Sequence, residues 1–313
     1  MPELTLPFTT RPYQPGDAAA LTALYNEVEQ AAGGHPGYVE DETQGVLDAV
    51  VRNLESDSRL VFSDDGDLIA AGIVATPPPD GYRFDSFGGV VPKWRGRGVG
   101  RAVLGWQIAR AREIHQAAGS PDGWVIETNA AVGDDAVRLF ERFQFAPVRY
   151  FFEMVAPAKD LHKAVPSGLR VQPYEPRFEG ALYEAHMDAF SDHWGYQKRE
   201  LDSWAGFTVR SDSFRSDLSR LAFDGEDLAG YVLSYDDADD DRVYIGQVGT
   251  RRPWRRRGLA GALLADVIAG TAAAGKGFAY LSVDADSPTG AVGVYEGVGF
   301  EVETRSVAYR TDL

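Results

Sequence analysis

Apolar and polar positions along the chain follow two patterns, one typical of strands and one typical of helices. The predicted strands and helices come in the same order in both halves of the chain. Short apolar runs predict strands, and longer stretches rich in Ala and Leu predict helices. In the first half the predicted strands are 9–13, 59–62, 68–75, 84–91, 124–128 and 148–155, and the predicted helices are 18–32, 43–53, 99–118 and 134–143. In the second half the predicted strands are 169–173, 220–223, 228–234, 243–248, 279–283 and 303–309, and the predicted helices are 179–190, 198–205, 261–274 and 289–298. Strands mixed with helices in each half predict an α/β or α+β layer structure.

Three anchor residues mark a duplication of the chain. Pro12, Trp94 and Phe145 recur in the same order, about 160 residues further on, as Pro173, Trp254 and Phe300. A length of 313 residues suits two domains of ordinary size. We therefore predict two tandem domains, residues 1–156 and 169–313, joined by a linker over residues 157–168 that contains two prolines and a glycine.

A basic, glycine-containing turn lies between a predicted strand and a predicted helix in each half. Both turns, Trp94 to Gly100 and Trp254 to Ala260, fit the pattern Arg-x-x-Gly-x-Gly/Ala. The start of a helix presents free backbone N–H groups and partial positive charge, so it favours an anion. Taken singly, each stretch could be only a tight turn, but the repetition favours a binding function.

Both turns resemble the acyl-CoA pyrophosphate turn of the GNAT acetyltransferases, and their duplication resembles a tandem GNAT protein. The resemblance implies that each domain is a mixed, mostly antiparallel sheet flanked by helices. It further implies that two central strands splay apart to admit the pantetheine arm, that acetyl-CoA is the co-substrate, and that the reaction needs no metal.

The same resemblance implies which residues bind acetyl-CoA. In the second half, backbone groups of Val248 and Thr250 would bind pantetheine, and the turn would bind the pyrophosphate with Arg255 or Arg257 as side-chain support. The predicted set is Val248, Thr250, Arg255, Arg256, Arg257, Gly258, Leu259, Ala260, Gly261 and Ser287. A second candidate acetyl-CoA site in the first half consists of Val90, Pro92, Arg95, Gly96, Arg97, Gly98, Val99 and Gly100.

Tyr295 is the predicted catalytic acid. It lies in residues 281–300, which resemble the second GNAT motif, in which a Tyr often protonates the departing CoA thiolate. Helical spacing of its apolar neighbours would also suit a Tyr that only packs in the core. The first half has Phe140 at the matching position and Gln144 before Phe145, so we predict that the first domain is not catalytic.

One histidine is the candidate general base. His193, beside Asp192, lies in the loop after the first helix of the second half, where GNAT substrates commonly approach. The strand before the second basic turn carries Tyr244 where related tandem enzymes carry a carboxylate. Asp284 and Asp286 could bind the amine, but turn capping is the better expectation.

Composition and charge limit the partners and the location. A net charge of −16 disfavours nucleic acid; it would attract a cationic amine, although acidity can also serve solubility alone. Cysteine is absent, which excludes disulfides and an acyl-cysteine intermediate. No apolar run is long enough for a membrane span, and residues 1–5 show no leader, so we expect a cytoplasmic protein. Two fused domains favour a monomer, in which they form a pseudo-dimer.

Three functions therefore follow from the sequence. The first is acetyl transfer from acetyl-CoA to the primary amine of a small molecule, by direct attack. The second is acetylation of a Cys-containing pseudo-disaccharide, as in the mycothiol synthase type of tandem GNAT protein. The third is a non-catalytic, regulatory protein that only binds acyl-CoA.

Overall fold

A computed structural model describes residues 6–287 and 289–313, and residues 1–5, where no leader was recognised, lie outside the described residues. The chain forms two compact units. The first consists of the described part of Met1–Arg149 together with Gln197–Arg199 and Ser306–Leu313. The second consists of Tyr150–Tyr196 and Glu200–Arg305.

The elements follow the predicted order closely. In the first half they are β1 Thr9–Arg11, α1 Ala18–Ala31, α2 Glu40–Val50, α3 Leu54–Asp57, β2 Ser58–Phe62, β3 Leu68–Ala75, β4 Arg83–Val90, α4 Val99–Ala117, β5 Val125–Ala131, α5 Ala136–Arg142 and β6 Ala146–Pro157. In the second half they are β7 Leu169–Pro173, α6 Glu179–Phe190, α7 Leu201–Gly206, β8 Arg220–Asp224, β9 Asp227–Asp236, β10 Arg242–Thr250, α8 Leu259–Ala273, β11 Phe278–Asp284, α9 Ala291–Glu296 and β12 Glu301–Asp312.

Each unit contains a mixed, mostly antiparallel sheet, as predicted. In the first unit the strand order is β1-β2-β3-β4-β5, completed by residues 306–312 of β12. In the second unit the order is β7-β8-β9-β10-β11, completed by residues 151–157 of β6. Among the described pairings within the units, only β4 with β5 and β10 with β11 are parallel.

Helices cover both faces of the second unit's sheet, which explains why its central strands are apolar on both sides. One face packs on α8, where Leu263 and Leu264 meet Ile245 and Leu281. The opposite face packs on α6 and α7, and Trp204 is the largest side chain fully buried there. Of the side chains discussed below, Tyr231 and Tyr235 lie on this α6–α7 face, whereas Tyr295 lies on the α8 face.

The last strand of each sheet comes from the other half of the sequence. Residues 151–157 pair with β11, although the sequence assigned this strand to the first domain. Residues 306–312 pair with β5, although the sequence assigned that strand to the second. The unit boundaries therefore differ from the predicted domains 1–156 and 169–313. The reason is that an alternation of apolar residues predicts a strand but does not determine which other strand it pairs with.

The predicted linker, residues 157–168, belongs to the second unit. The N–H of Ala158 donates to Gly277 O at 2.7 Å, and Lys163 Nζ donates to Gly297 O at 2.7 Å. These contacts fix both the beginning and the middle of the segment to the second unit.

The exchanged end of the chain should stabilise the first unit specifically. Tyr309 is 7% exposed, and its ring lies 5.3 Å from that of Phe140. We expect Tyr309→Ala to cost the first unit about 3 kcal/mol, because a large buried ring is lost. Amide hydrogen exchange should speed up in β5 and not in β9 or β10.

The exposed Asp312 provides the matched control, and Asp312→Ala should leave exchange unchanged in both units. Faster exchange in β9 and β10 of the Tyr309→Ala variant, with β5 unaffected, would contradict this assignment of the last strand.

Candidate active site

The parallel pair β10–β11 separates after three residues. Residues 242–244 pair with 278–280, but β10 continues to Thr250 and β11 to Asp284. Beyond Tyr244, the described pairings of β10 are with β9 only. The N–H of Arg251 donates to Ala229 O in this ladder, so strand alternation turns the backbone groups of Val248 and Thr250 toward the open edge. An extended ligand could therefore add to this edge as a further strand would.

The basic turn at the end of β10 offers a row of free donors. Arg256 and Gly258 have positive φ values of 58° and 81°, and α8 begins directly after them. The first backbone bond of this helix runs from Ala262 N–H to Gly258 O at 3.1 Å. The N–H groups of residues 256–261 lie before it and have no backbone acceptor among the described residues. A Cβ added at Gly258 would meet nothing within 4 Å, so the turn is open to a ligand.

Arg255 points inward instead of toward the open turn. Its guanidinium donates to Thr250 O at 3.0 Å, to Ala189 O at 2.9 Å, and in a bidentate pair to Asp192 at 2.6 and 3.2 Å. The guanidinium holds the pKa of the Asp192 carboxyl below its usual range. Arg255 thus joins the end of β10 to the end of α6. The side chains of Arg256 and Arg257 are exposed beside the turn and are better placed to meet an anion.

A β-bulge interrupts β10 next to the point of separation. The register against β9 shifts between Ile245 and Gln247, leaving Gly246 as the extra residue. A Cβ at Gly246 would lie 2.6 Å from the Tyr235 ring, so only glycine fits beneath it. The bulge changes the direction of the backbone at the point where β10 and β11 separate.

Tyr295 lies in the core of the second unit. The side chain is 8% exposed, and its ring packs 6.0 Å from Phe300. No hydrogen-bond partner for the hydroxyl is found in the part of the chain that the structure describes. Burial raises the pKa of Tyr295 to about 12, so the phenol is protonated at neutral pH. Both expectations from the sequence, core packing and an available proton, apply to the same residue.

His193 stacks on Phe190, with ring centroids 4.2 Å apart. Burial lowers the pKa of His193, and the neighbouring Asp192 opposes that shift. His186 stacks on the other side of Phe190 and its Nδ1 lies 2.7 Å from the Tyr231 hydroxyl. Burial lowers the pKa of His186 to about 4, so this ring is neutral at pH 7.

The acidic residues after β11 organise their own turn. Asp284 accepts from the N–H of Asp286 at 3.0 Å through its side chain, and from Ser287 N–H at 3.1 Å through its carbonyl. Ser287 Oγ lies 2.9 Å from Thr289 Oγ1, and its carbonyl accepts from Gly290 N–H. These bonds agree with the capping role expected for Asp284, and they leave Ser287 close to the start of α9.

The first unit repeats part of this arrangement. β4 pairs with β5 at residues 83–85 only, Gly96 and Gly98 have φ values of 76° and 86°, and Arg95 Nε donates to Val90 O. Val99 and Gly100, like Arg97, lie in the turn and first helical residues, as predicted. The N–H of Val91 donates to Ile69 O, so the open-edge groups are those of Gly88 and Val90. The candidate Pro92 was misplaced, because it has no N–H and begins the turn.

Other features of the first unit differ from the second. The ladder of β4 against β3 runs without a bulge. Phe140 lies where Tyr295 lies in the second unit, with the same 6.0 Å distance to the following Phe145 ring. Gln144 has a φ of 64°, where the second unit has Gly299. The first unit therefore keeps the turn and the separated strands but offers no phenol.

A pair of carboxylates in the first unit was missed from the sequence. Asp85 and Glu127 form the last parallel pair before the strands separate, where the second unit has Tyr244 and Tyr280. Arg83 and Arg310 form ion pairs with them, at 2.8 Å to Asp85 and 2.8 Å to Glu127. Burial raises the pKa of Glu127 against the effect of these guanidinium groups. The signal was two charged residues at alternate positions of β4, Arg83 and Asp85, but their partners emerge only from the strand pairing.

Two negative findings concern the described residues only. No group of three or more His, Asp or Glu side chains there is placed to hold a metal ion. None of the helices in residues 6–287 and 289–313 combines the length and apolarity required to cross a membrane.

The buried, neutral His186 should make the stability of the second unit depend on pH. Its pKa falls from 6.5 to about 4 on folding, so the unfolded chain binds the proton first as pH drops. Stability from this residue is present above pH 6.5 and is lost as pH falls toward 4. We expect a loss of about 2 kcal/mol between pH 8 and pH 5, measured as the free energy of unfolding in urea.

The variant His186→Gln keeps a partner for Tyr231 but cannot titrate, so most of this loss should disappear in it. An equally steep loss in the variant would show that other groups control the pH dependence.

Comparison with known proteins agrees with this geometry. Residues 180–300 match the family described as the acetyltransferase (GNAT) family. The structure resembles a GCN5-related N-acetyltransferase from Sphaerobacter thermophilus over 98% of this chain and 96% of the other, with a TM-score of 0.76 and 28% identity. It also resembles a tandem GNAT protein from the clavulanic acid biosynthesis pathway over 97% and 98% of the two chains, with a TM-score of 0.68 and 16% identity.

A third similar structure is Saccharomyces cerevisiae N-myristoyltransferase with bound myristoyl-CoA, at a TM-score of 0.67 and 12% identity over 98% of this chain and 83% of that one. No functionally curated protein matches the sequence. The two structures below 25% identity show a shared fold only. Together with the match at residues 180–300, the fold and the motif geometry lead to one conclusion: residues 180–300, almost all in the second unit, match the GNAT acetyltransferase family, and the whole chain is similar in fold to GNAT proteins.

Proposed function

We propose that the second unit transfers the acetyl group of acetyl-CoA to the primary amine of a small molecule. The observation that carries this proposal is the combination, in one unit, of an open strand edge, a turn of N–H groups and a protonated phenol, and these donors have no acceptor within the described part of the chain. The first unit has the first two features and lacks the third.

Acetyl-CoA would bind along β10 in one direction, with its pyrophosphate at the basic turn and its thioester near the bulge. Its pyrophosphate lies on the N–H groups of residues 256–261, supported by Arg256 and Arg257. Its pantetheine arm runs back along the open edge and pairs with the backbone groups of Val248 and Thr250. The thioester then lies near the bulge at residues 245–247, where β10 and β11 separate.

The chemistry needs a nucleophile and an acid. A neutral amine attacks the thioester carbon, and the C=O electrons move to oxygen to give a tetrahedral intermediate. When the intermediate collapses, the C–S bond breaks and Tyr295 gives its proton to the leaving thiolate, and the proton that the attacking nitrogen loses as the amide forms restores the phenol. The pKa of the buried phenol, about 12, lies above that of an ordinary thiol, about 8.5, so the proton moves to sulfur only as negative charge develops there. Burial keeps Tyr295 protonated until that step.

The amine must lose a proton before it attacks. His193 is our candidate for this base because burial lowers its pKa, which favours the neutral ring, and because it lies in the loop that Arg255 ties to β10 through Asp192. Asp192 itself is engaged with Arg255 and serves to hold the loop. A net charge of −16 favours the approach of a cationic amine.

The first unit would bind acetyl-CoA without turnover, or serve as a scaffold. Its turn from Arg95 to Gly100 is open, since a Cβ at Gly98 would meet nothing within 4 Å. Phe140 has no proton to donate, and the carboxylates that could act as bases are paired with arginines. Catalysis by this unit is therefore not part of the proposal.

The variant Tyr295→Phe tests the proposal. Phenylalanine fits this position, since Phe140 packs against Phe145 at the same 6.0 Å in the first unit. We expect kcat to fall about 100-fold, because the general acid is lost, while the Kd for acetyl-CoA stays within about twofold. CoA release with a panel of primary amines measures turnover, and calorimetry measures binding.

Phe140→Tyr is the matched control and should leave kcat unchanged. Full activity of Tyr295→Phe would eliminate the general-acid role, and a wild type that releases no CoA with any amine would support the non-catalytic alternative.

A further inference from the structure

Gln247 lies at the point where the proposed acyl group would be bound. It follows the bulge in β10 and precedes Val248, the first of the two residues that present backbone groups to the open edge. Since the proposed ligand runs from the turn toward the bulge, its thioester end reaches Gln247. The side chain is half-buried, which limits competition from water.

The amide of Gln247 is held in one orientation. The Tyr235 hydroxyl donates to Gln247 Oε1 at 2.7 Å. Tyr235 is 4% exposed and packs between Phe214 and Tyr244, with ring centroids 5.6 and 6.1 Å away, so its hydroxyl has little freedom. The glycine at position 246 allows this ring to lie over the bulge.

The two N–H donors of the amide are available. No hydrogen-bond partner for Gln247 Nε2 is found among residues 6–287 and 289–313. A half-buried amide whose oxygen is satisfied and whose nitrogen is not fits a ligand that brings an acceptor atom. A thioester carbonyl brings one, and that atom gains negative charge when the amine attacks.

We propose that Gln247 is a further catalytic residue, whose Nε2–H donates to the acyl oxygen, and that Tyr235 is the positioning residue that orients it. The proposal rests on the proposed acetyl transfer in the second unit. As the amine nitrogen bonds to the carbonyl carbon, the C=O electrons move to oxygen and the hydrogen bond from Nε2 strengthens. No proton leaves Gln247, and the bond weakens again when the C–S bond breaks and the carbonyl reforms.

The first unit lacks the counterparts of both Gln247 and Tyr235. Gln247 stands eight residues before Arg255, and Phe87 stands eight residues before Arg95. The residue opposite Tyr244 in β9 is Tyr235, whereas the residue opposite Asp85 in β3 is Ala75. Both the donor and the group that would orient it are therefore confined to the unit that carries Tyr295.

The test compares Gln247→Leu, Gln247→Glu and Tyr235→Phe with wild type. Leucine has no donor, and a glutamate carboxylate has the same shape but only accepts. We expect kcat to fall about 100-fold in both Gln247 variants and about tenfold in Tyr235→Phe, as for loss of an oxyanion donor and of its support. The exposed Ser282, on β11, provides the control: Ser282→Ala should retain wild-type kcat.

A binding measurement separates this role from a merely structural one. Acetyl-CoA carries the acyl oxygen and CoA does not, so Gln247→Leu should weaken acetyl-CoA by roughly threefold to tenfold and leave the Kd of CoA unchanged. Equal weakening of both ligands, or wild-type kcat in Gln247→Leu, would overturn the proposal. If wild type released no CoA with any amine, acetyl transfer would fail as the function, and the two Kd values would still decide whether Gln247 contacts the acyl oxygen.

Discussion

The brevity of the β10–β11 ladder is the constraint on which the second unit depends. Three residue pairs hold the strands together, and the strands then separate while β9 and β6 continue to pair on their outer sides. Unpaired backbone groups in a sheet interior are costly unless something satisfies them. In our proposal a ligand with an amide-containing arm satisfies them, and the bulge and the basic turn lie along its path. Tyr295 belongs to the apolar cluster that also contains Ile245 of β10 and Leu281 of β11.

Arg255 stabilises the end of β10, beyond the point where the two strands separate. The first arginine of the predicted anion-binding turn points away from the open side of the turn; it bonds to Thr250 O, Ala189 O and Asp192. Because the guanidinium offers five donors in a fixed plane, one side chain can tie a strand end to a helix end and a loop. The N–H groups of the turn are thereby left open for the proposed anion, and the loop with His193 is tied to the end of β10.

Much of the fold was predictable from the sequence, and the limits have physical causes. The bounds of β7 and α6 coincide with the predicted 169–173 and 179–190, because apolar spacing and turn residues are local signals. The exchange of β6 and β12 was not predictable, since both strands would fit either sheet by their alternation alone. Arg255 points inward because it pairs with Asp192, and the proposed role of Gln247 depends on its hydrogen bond from Tyr235. Neither contact can be inferred from the spacing of these residues along the chain. The carboxylates Asp85 and Glu127 likewise become a pair only through the parallel register.

The two basic turns allow a matched measurement of the central claim, that acetyl-CoA is bound and used in the second unit. Gly258 and Gly98 have φ values of 81° and 86°, and both face open space, so a glutamate imposes similar backbone strain and the same charge at either turn. Calorimetric titration with acetyl-CoA should show that Gly258→Glu abolishes a binding event that Gly98→Glu retains. Undiminished binding in Gly258→Glu, or no binding in the wild type, would contradict the account.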